Sequence, residues 1–171
     1  DFMTRKTLLL LGLILILSAF MRFYNLYSFG YFTGDEEIFH SMVRKVTVDK
    51  RPPLVIPNAQ IGGSMGSFFV LLISPLFALA NNDPLAVQVI GSVFGLATTL
   101  AIFWVGSLTA GQRMGFLAGV LYGGSFMVAL FDRRLWTLTL DPLMITLSIG
   151  ALIKIIQKKY QYSLLLAMAV S

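Results

Sequence analysis

Long apolar runs separated by short polar stretches dominate this chain, at 7–21, 67–80, 85–109, 114–131 and 138–156, with another opening after 162. A helix that crosses a bilayer needs about 20 such residues. The pattern therefore predicts an all-α integral membrane protein, a multi-span helix bundle. The first run, Thr7–Met21, carries no charge and follows Arg5-Lys6. A secretory signal peptide shares that layout, but Arg22-Phe23-Tyr24 comes next where a small-residue cleavage site would lie. We read an uncleaved helix with a cytoplasmic N-terminus. Tyr24, Tyr27, Tyr31, Trp136, Tyr160 and Tyr162 lie near run ends, as interfacial aromatic belts require.

The run at 67–80 decides the expected topology. It has 14 residues and a central Pro75, which suits a juxtamembrane helix better than a span. If it does not cross, Arg5, Lys6, Arg113, Lys154, Lys158 and Lys159 share the cytoplasmic side, in keeping with the positive-inside bias. Residues 22–84 then form one long external loop, and 132–138 a second external turn. Gly91-x-x-x-Gly95 and Gly115-x-x-x-Gly119-x-x-x-Gly123 let helix backbones approach closely.

Composition sharpens this. The chain is 57% hydrophobic and 12% charged, with a mean hydropathy of +0.80. A soluble domain is about one quarter charged, so water-soluble folds, coiled coils and disordered tails are excluded. There is no cysteine and one histidine, His40, which removes disulfides, thiol nucleophiles and His-rich metal sites. The net charge of +5 is scattered between apolar runs and offers no nucleic-acid-binding face. The chain starts at Asp1 without Met and stops at Ser171, inside the short run Ser163–Val170. We expect it to be the N-terminal part of a longer multi-span protein.

Three of the eight acidic residues are consecutive, Asp35, Glu36 and Glu37. Charge beside hydrocarbon is costly, so a carboxylate trio at the outer surface asks for a reason. Gly34-Asp35 reads as a helix start with Asp35 as N-cap, and Glu37 and His40 follow at i, i+3 spacing. The trio is either a solvated first turn or a general base or cation-binding group. A di-iron bundle would need two Glu-x-x-His pairs, and one histidine cannot supply them. The second external turn holds Asp132-Arg133-Arg134, then Asp141-Pro142 as an N-cap pattern. Arginine forks suit phosphate oxygens, so Arg133 and Arg134 are candidate ligands for an anionic head group. Arg22, at the outer end of the first span, reads as a snorkelling anchor or a further ligand. No Gly-x-x-x-x-Gly-Lys-Ser/Thr loop and no Gly-x-Ser-x-Gly elbow occurs, so nucleotide hydrolysis and serine-esterase chemistry are unsupported.

Taken in order, Arg22-Phe23-Tyr24-Asn25-Leu26, Gly34-Asp35-Glu36 and Arg51-Pro52-Pro53-Leu54 after an apolar first span resemble the start of the GT-C-fold, polyprenyl-phosphate-sugar-dependent glycosyltransferases. The protein O-mannosyltransferases and lipid A aminoarabinose transferases look nearest. The resemblance implies an acidic pair in the first external loop and a juxtamembrane helix after Pro-Pro-Leu. A third acid, Glu37, departs from that pattern, as does the external basic stretch Arg44-Lys45 to Lys50-Arg51. The resemblance further implies that Asp35 is the general base on an acceptor hydroxyl, which attacks the anomeric carbon with inversion. Glu36 and Asp141 would orient the base or acceptor, or bind Mg²⁺ or Mn²⁺ where one is used. Arg22, Arg133, Arg134, Glu37 and His40 would contact substrate. The implied partners are a polyprenyl-phosphate-linked sugar, the bilayer and an acceptor protein, lipid or glycan, in a bacterial or archaeal plasma membrane. Two other readings remain open, an ion-coupled secondary transporter and a non-catalytic membrane partner subunit.

Overall fold

The computed structural model describes residues 5–26, 34–52, 54–57, 64–134, 137–157, 162, 163 and 167. Among them are seven α-helices: α1 (Arg5–Phe23), α2 (Gly34–Thr47), α3 (Phe68–Leu79), α4 (Pro84–Ala110), α5 (Gln112–Gly123), α6 (Phe126–Asp132) and α7 (Asp141–Ile156). A 3₁₀ turn over Thr137–Thr139 precedes α7. Two helices, α1 and the Gln88–Ala110 part of α4, are long and apolar enough to cross a membrane; α5 and α6 together make a third if they count as one bent span.

Local chemistry explains the element ends. Asp83 caps α4 by accepting a hydrogen bond from the Leu85 amide at 2.8 Å, with Pro84 in the first turn, where its missing N–H costs nothing. Gly111 closes α4 at φ 86°, a left-handed conformation that glycine adopts without strain. The expected span at 114–131 is interrupted. Gly123 and Gly124 weaken the helix, Ser125 caps a new one by accepting from the Val128 amide, and the two limbs meet at 66°.

Other boundaries also differ from expectation. The helix expected over 138–156 starts at Asp141, after the 3₁₀ turn. Leu140 is its N-cap residue and no side chain caps it, so Asp141 lies in the first turn and is not the cap. Asp35 likewise lies inside α2, which opens at Gly34. The first loop also contains a two-stranded antiparallel ribbon, β1 (Val55–Pro57) against β2 (Ser64–Gly66), that the helical pattern does not predict. Most of the run after 162 lies outside the described residues.

Helix α4 is the axis of the bundle. Thr7 at the start of α1 donates to Gln112 at the start of α5 (2.9 Å). At the other end Arg22 of α1 meets Asp132 of α6. These two spans therefore run side by side in one direction, and α4 runs back between them. Glycines make the close approaches: Gly106 faces the Gly115 backbone, Gly119 faces Ile14, and Gly123 faces Ser18 and Thr99. Gly91 and Gly95 lie against Asp132 and Arg22. The segment from the end of α1 to the start of α4 thus begins and ends at the same end of the bundle. Within it α2 and α3 pack on α4 and α7 through a core of Phe39, Val43, Val70, Ile73, Phe77 and Leu143. The outward side of α1, by contrast, presents Leu9, Ile16 and Phe20, each more than half exposed, a surface made for lipid.

The natural chain has no cysteine, so single cysteines report sidedness cleanly. Asp49→Cys and Leu138→Cys are expected to react with an impermeant thiol reagent from one side of a sealed vesicle, and Arg113→Cys only from the other. A methyl group at Gly91 would collide with the Asp132 backbone carbonyl, whereas one at Gly12 meets nothing within 4 Å. Gly91→Ala is therefore expected to lower the melting temperature in detergent, and Gly12→Ala to leave it unchanged or raise it.

Candidate functional site

Three consecutive residues at the end of α6 reach in three directions and gather the helix ends at one end of the bundle. Asp132 pairs with Arg22, whose Nε and Nη2 lie 2.8 and 2.7 Å from Oδ2. Arg22 Nη1 donates to Ser18 Oγ at 2.6 Å and to the Gly123 carbonyl at 3.1 Å. Ser18 is in turn 3.0 Å from Thr99 of α4. The guanidinium also lies 5.5 Å from the centre of the Tyr122 ring, a cation–π distance. One side chain of α1 thereby holds the last residue of α5 and of α6.

Arg133 turns back over the end of α1. Its Nε donates to the Arg22 carbonyl (2.9 Å), and its Nη2 to those of Met21 (2.8 Å) and Tyr24 (3.0 Å). Those carbonyls have no partner further along the helix, so Arg133 serves as their cap. Burial, and then the positive charge of Arg22, push its guanidinium below its ordinary pKa, yet an arginine stays charged. Among the described residues its Nη1 is buried and makes no hydrogen bond.

Arg134 reaches to the first loop, where its Nε lies 2.5 Å from Glu36 Oε1. Glu36 is buried, at 1% exposure. Thr139 steadies the turn by donating to the Arg134 carbonyl at 2.8 Å. The pair joins residues 98 positions apart and brings the acidic segment of α2 against the second turn.

The remaining expected site residues are distributed unevenly around this pair. Asp35 precedes Glu36 in α2, and its side chain lies outside the described residues. Glu37 is exposed, on a different side of α2 from Glu36. His40 sits 3.3 Å from the Asn82 carbonyl and edge-on to Phe77 at 5.5 Å, fastening α2 to the turn between α3 and α4. Asp141 is exposed at the start of α7. Arg22 does not snorkel: it is fully buried and committed to Asp132. Beside the buried pair a cavity of about 440 Å³ opens between α5, α6 and α7, walled by Tyr122, Val128, Phe131, Asp132, Leu138 and Pro142. Among the described residues no group of three or more acidic or histidine side chains comes together to hold a cation.

Asp132 is the residue that sequence reasoning undervalued. The available signal was symmetry: a lone base ends the first apolar run, and a lone acid ends the fourth, at 114–131. Comparison with protein-family models, curated proteins and solved structures finds no match.

Removing one partner of a buried ion pair leaves an uncompensated charge, at a cost of about 3–5 kcal/mol. Arg22→Ala and Asp132→Ala are each expected to destabilise the protein by that order. The apolar double replacement Arg22→Met/Asp132→Leu is expected to recover a substantial part. Chemical unfolding in detergent micelles measures all three.

Proposed function

We propose that this chain is a membrane glycosyltransferase of GT-C type. It moves a sugar from a polyprenyl-phosphate donor to an acceptor hydroxyl at the external face, with the N-terminus cytoplasmic. The observation that carries the reading is the Glu36–Arg134 pair. An acidic segment built to handle a hydroxyl and a turn rich in guanidinium groups meet at one end of the bundle, where both a lipid-borne phosphate and a water-borne acceptor have access.

In this reading Asp35 takes the acceptor proton as the oxygen attacks the anomeric carbon. The sugar–phosphate bond breaks with inversion, and the electron pair leaves on the lipid phosphate. Buried Glu36 fixes the α2 turn that presents Asp35 and holds Arg134 beside it. The described cluster contains three guanidinium groups, of Arg22, Arg133 and Arg134, and two carboxylates, of Asp132 and Glu36. The two carboxylates pair with Arg22 and Arg134, and the unpartnered Arg133 Nη1 is a donor left for a phosphate oxygen. Fixed donors of this kind stabilise charge as it develops on a leaving group. Glu37, His40 and Asp141 would contact the acceptor, at most, from the rim.

A second reading has one observation of its own. A span broken by 66° beside a buried ion pair is also how ion-coupled transporters build their sites.

The protein in detergent, given a panel of polyprenyl-phosphate sugars, is expected to release polyprenyl phosphate. Asp35→Asn should reduce the rate by roughly 10²–10⁴-fold, the usual contribution of a general base, with an unchanged melting temperature. Equal rates in the two proteins would remove Asp35 as the base. Ion flux in liposomes free of lipid-linked sugar, with no release from any donor, would favour the transporter.

A further inference from the structure

The C-terminal end of α2 takes no part in the site above. Arg44, Lys45, Lys50 and Arg51 fall within eight positions, with Asp49 the one acid among them. All five are exposed, and among the described residues none forms a salt bridge. The backbone gathers them. Lys50 adopts a left-handed φ of 55°, its Nζ donates to the Thr47 carbonyl at 2.6 Å, and the Arg51 amide donates to the Lys45 carbonyl at 2.9 Å. The chain thus folds back over the last helical turn and stacks the later pair of bases on the earlier one. Two apolar side chains stand out of this basic surface, Val48 at 53% and Leu54 at 89% exposure.

A helix C-terminus favours nearby positive charge. That effect fades within one turn, and it accounts for neither four bases nor the protruding Val48 and Leu54. The neighbouring helix supplies the missing context. The buried face of α2 packs on Phe69, Val70, Ile73 and Phe77 of α3. The opposite face of α3 presents Phe68, Leu71, Leu72, Leu76 and Leu79 without a single charge. A short apolar helix of that kind, beside the mouth of a membrane bundle, lies along the boundary between head groups and hydrocarbon. The basic end of α2 then stands at the level of lipid phosphate.

We propose that this end of α2 is a docking surface for anionic phospholipid head groups of the adjoining leaflet, with Val48 and Leu54 entering the interface. Each base contributes roughly fivefold to affinity for an anionic surface at low salt. Clusters of bases flanked by apolar side chains are the usual form of such contacts. The proposal is independent of any catalytic role, because none of these residues touches the Glu36–Arg134 site.

The test places the whole protein in nanodiscs of phosphatidylcholine, or of phosphatidylcholine mixed with phosphatidylglycerol. Trypsin cleavage after Arg44, Lys45 and Lys50 (Arg51 is protected by Pro52) and amide exchange over residues 44–54 are followed in both. Slower cleavage and exchange in the anionic discs are expected, several-fold at low salt. The difference should vanish near 1 M salt, where charges are screened beyond about 3 Å. In Arg44→Gln/Lys45→Gln, with its melting temperature unchanged, exchange should no longer distinguish the two lipids. Equal protection in both discs, or protection insensitive to salt, would overturn the proposal. So would protection in phosphatidylcholine discs brought on by inorganic phosphate, which would assign the cluster to a soluble anion.

Discussion

A buried guanidinium is costly to leave unpaired, and one half of this fold is organised around satisfying one. Arg22 is fully buried; its Nε donates to Asp132 and its Nη1 to Ser18 and the Gly123 carbonyl, while Nη2 lies within ion-pair distance of the Asp132 carboxylate. Two of those partners end α5 and α6, so neutralising the charge also sets the bend between them. The close packing follows from this requirement. Gly91 and Gly95 leave room on α4 for the Asp132 backbone and for the ion pair itself. A side chain at either position would push α6 away and leave the charge uncompensated.

Once Asp132 is held, the next two residues have little freedom. Arg133 spends Nε and Nη2 on the carbonyl ends of α1, and Arg134 is turned toward Glu36. The start of the turn is thus held by what lies beneath it. A surface turn with two unsupported arginines would sample many rotamers. Here the support comes from buried neighbours, the kind of preorganisation that electrostatic catalysis relies on. The proposed chemistry and the packing of the bundle therefore share one set of contacts, and damage to the packing at Gly91 or Gly95 would reach the site.

The sequence was informative where a property is local and composition-driven. Uninterrupted apolar runs marked α1, α3, α4 and α7 to within a few residues, and the acidic trio marked a helix start at Gly34. Reading failed where the answer depends on a distant partner. Arg22 looked like an anchor because it ends an apolar run, and only the fold reveals Asp132, 110 positions away, as its partner. The break at Gly124-Ser125 was concealed by high hydropathy on both sides, because an apolar count does not register two weak helix formers followed by a capping serine. The cap assigned to Asp141 shifted by one residue to Leu140, and α2 opens at Gly34 so that Asp35 lies inside it, which is the ordinary uncertainty of a helix end. The Glu36–Arg134 contact joins two segments already assigned to one face, but nothing local selects Glu36 over its acidic neighbours for burial.

The separation between Arg22 and Asp132 matters for how the protein is made. A chain emerges from the ribosome from its N-terminus, so α1 is made long before α6 exists. Until then the guanidinium has no counter-charge at its final depth, where isolation is costly, and its long stem lets it wait at the head-group level. The arrival of Asp132 permits it to move inward and bring Ser18 and the end of α5 into register. Assembly of this end is in this sense a delayed step, completed by α6 and not by α1.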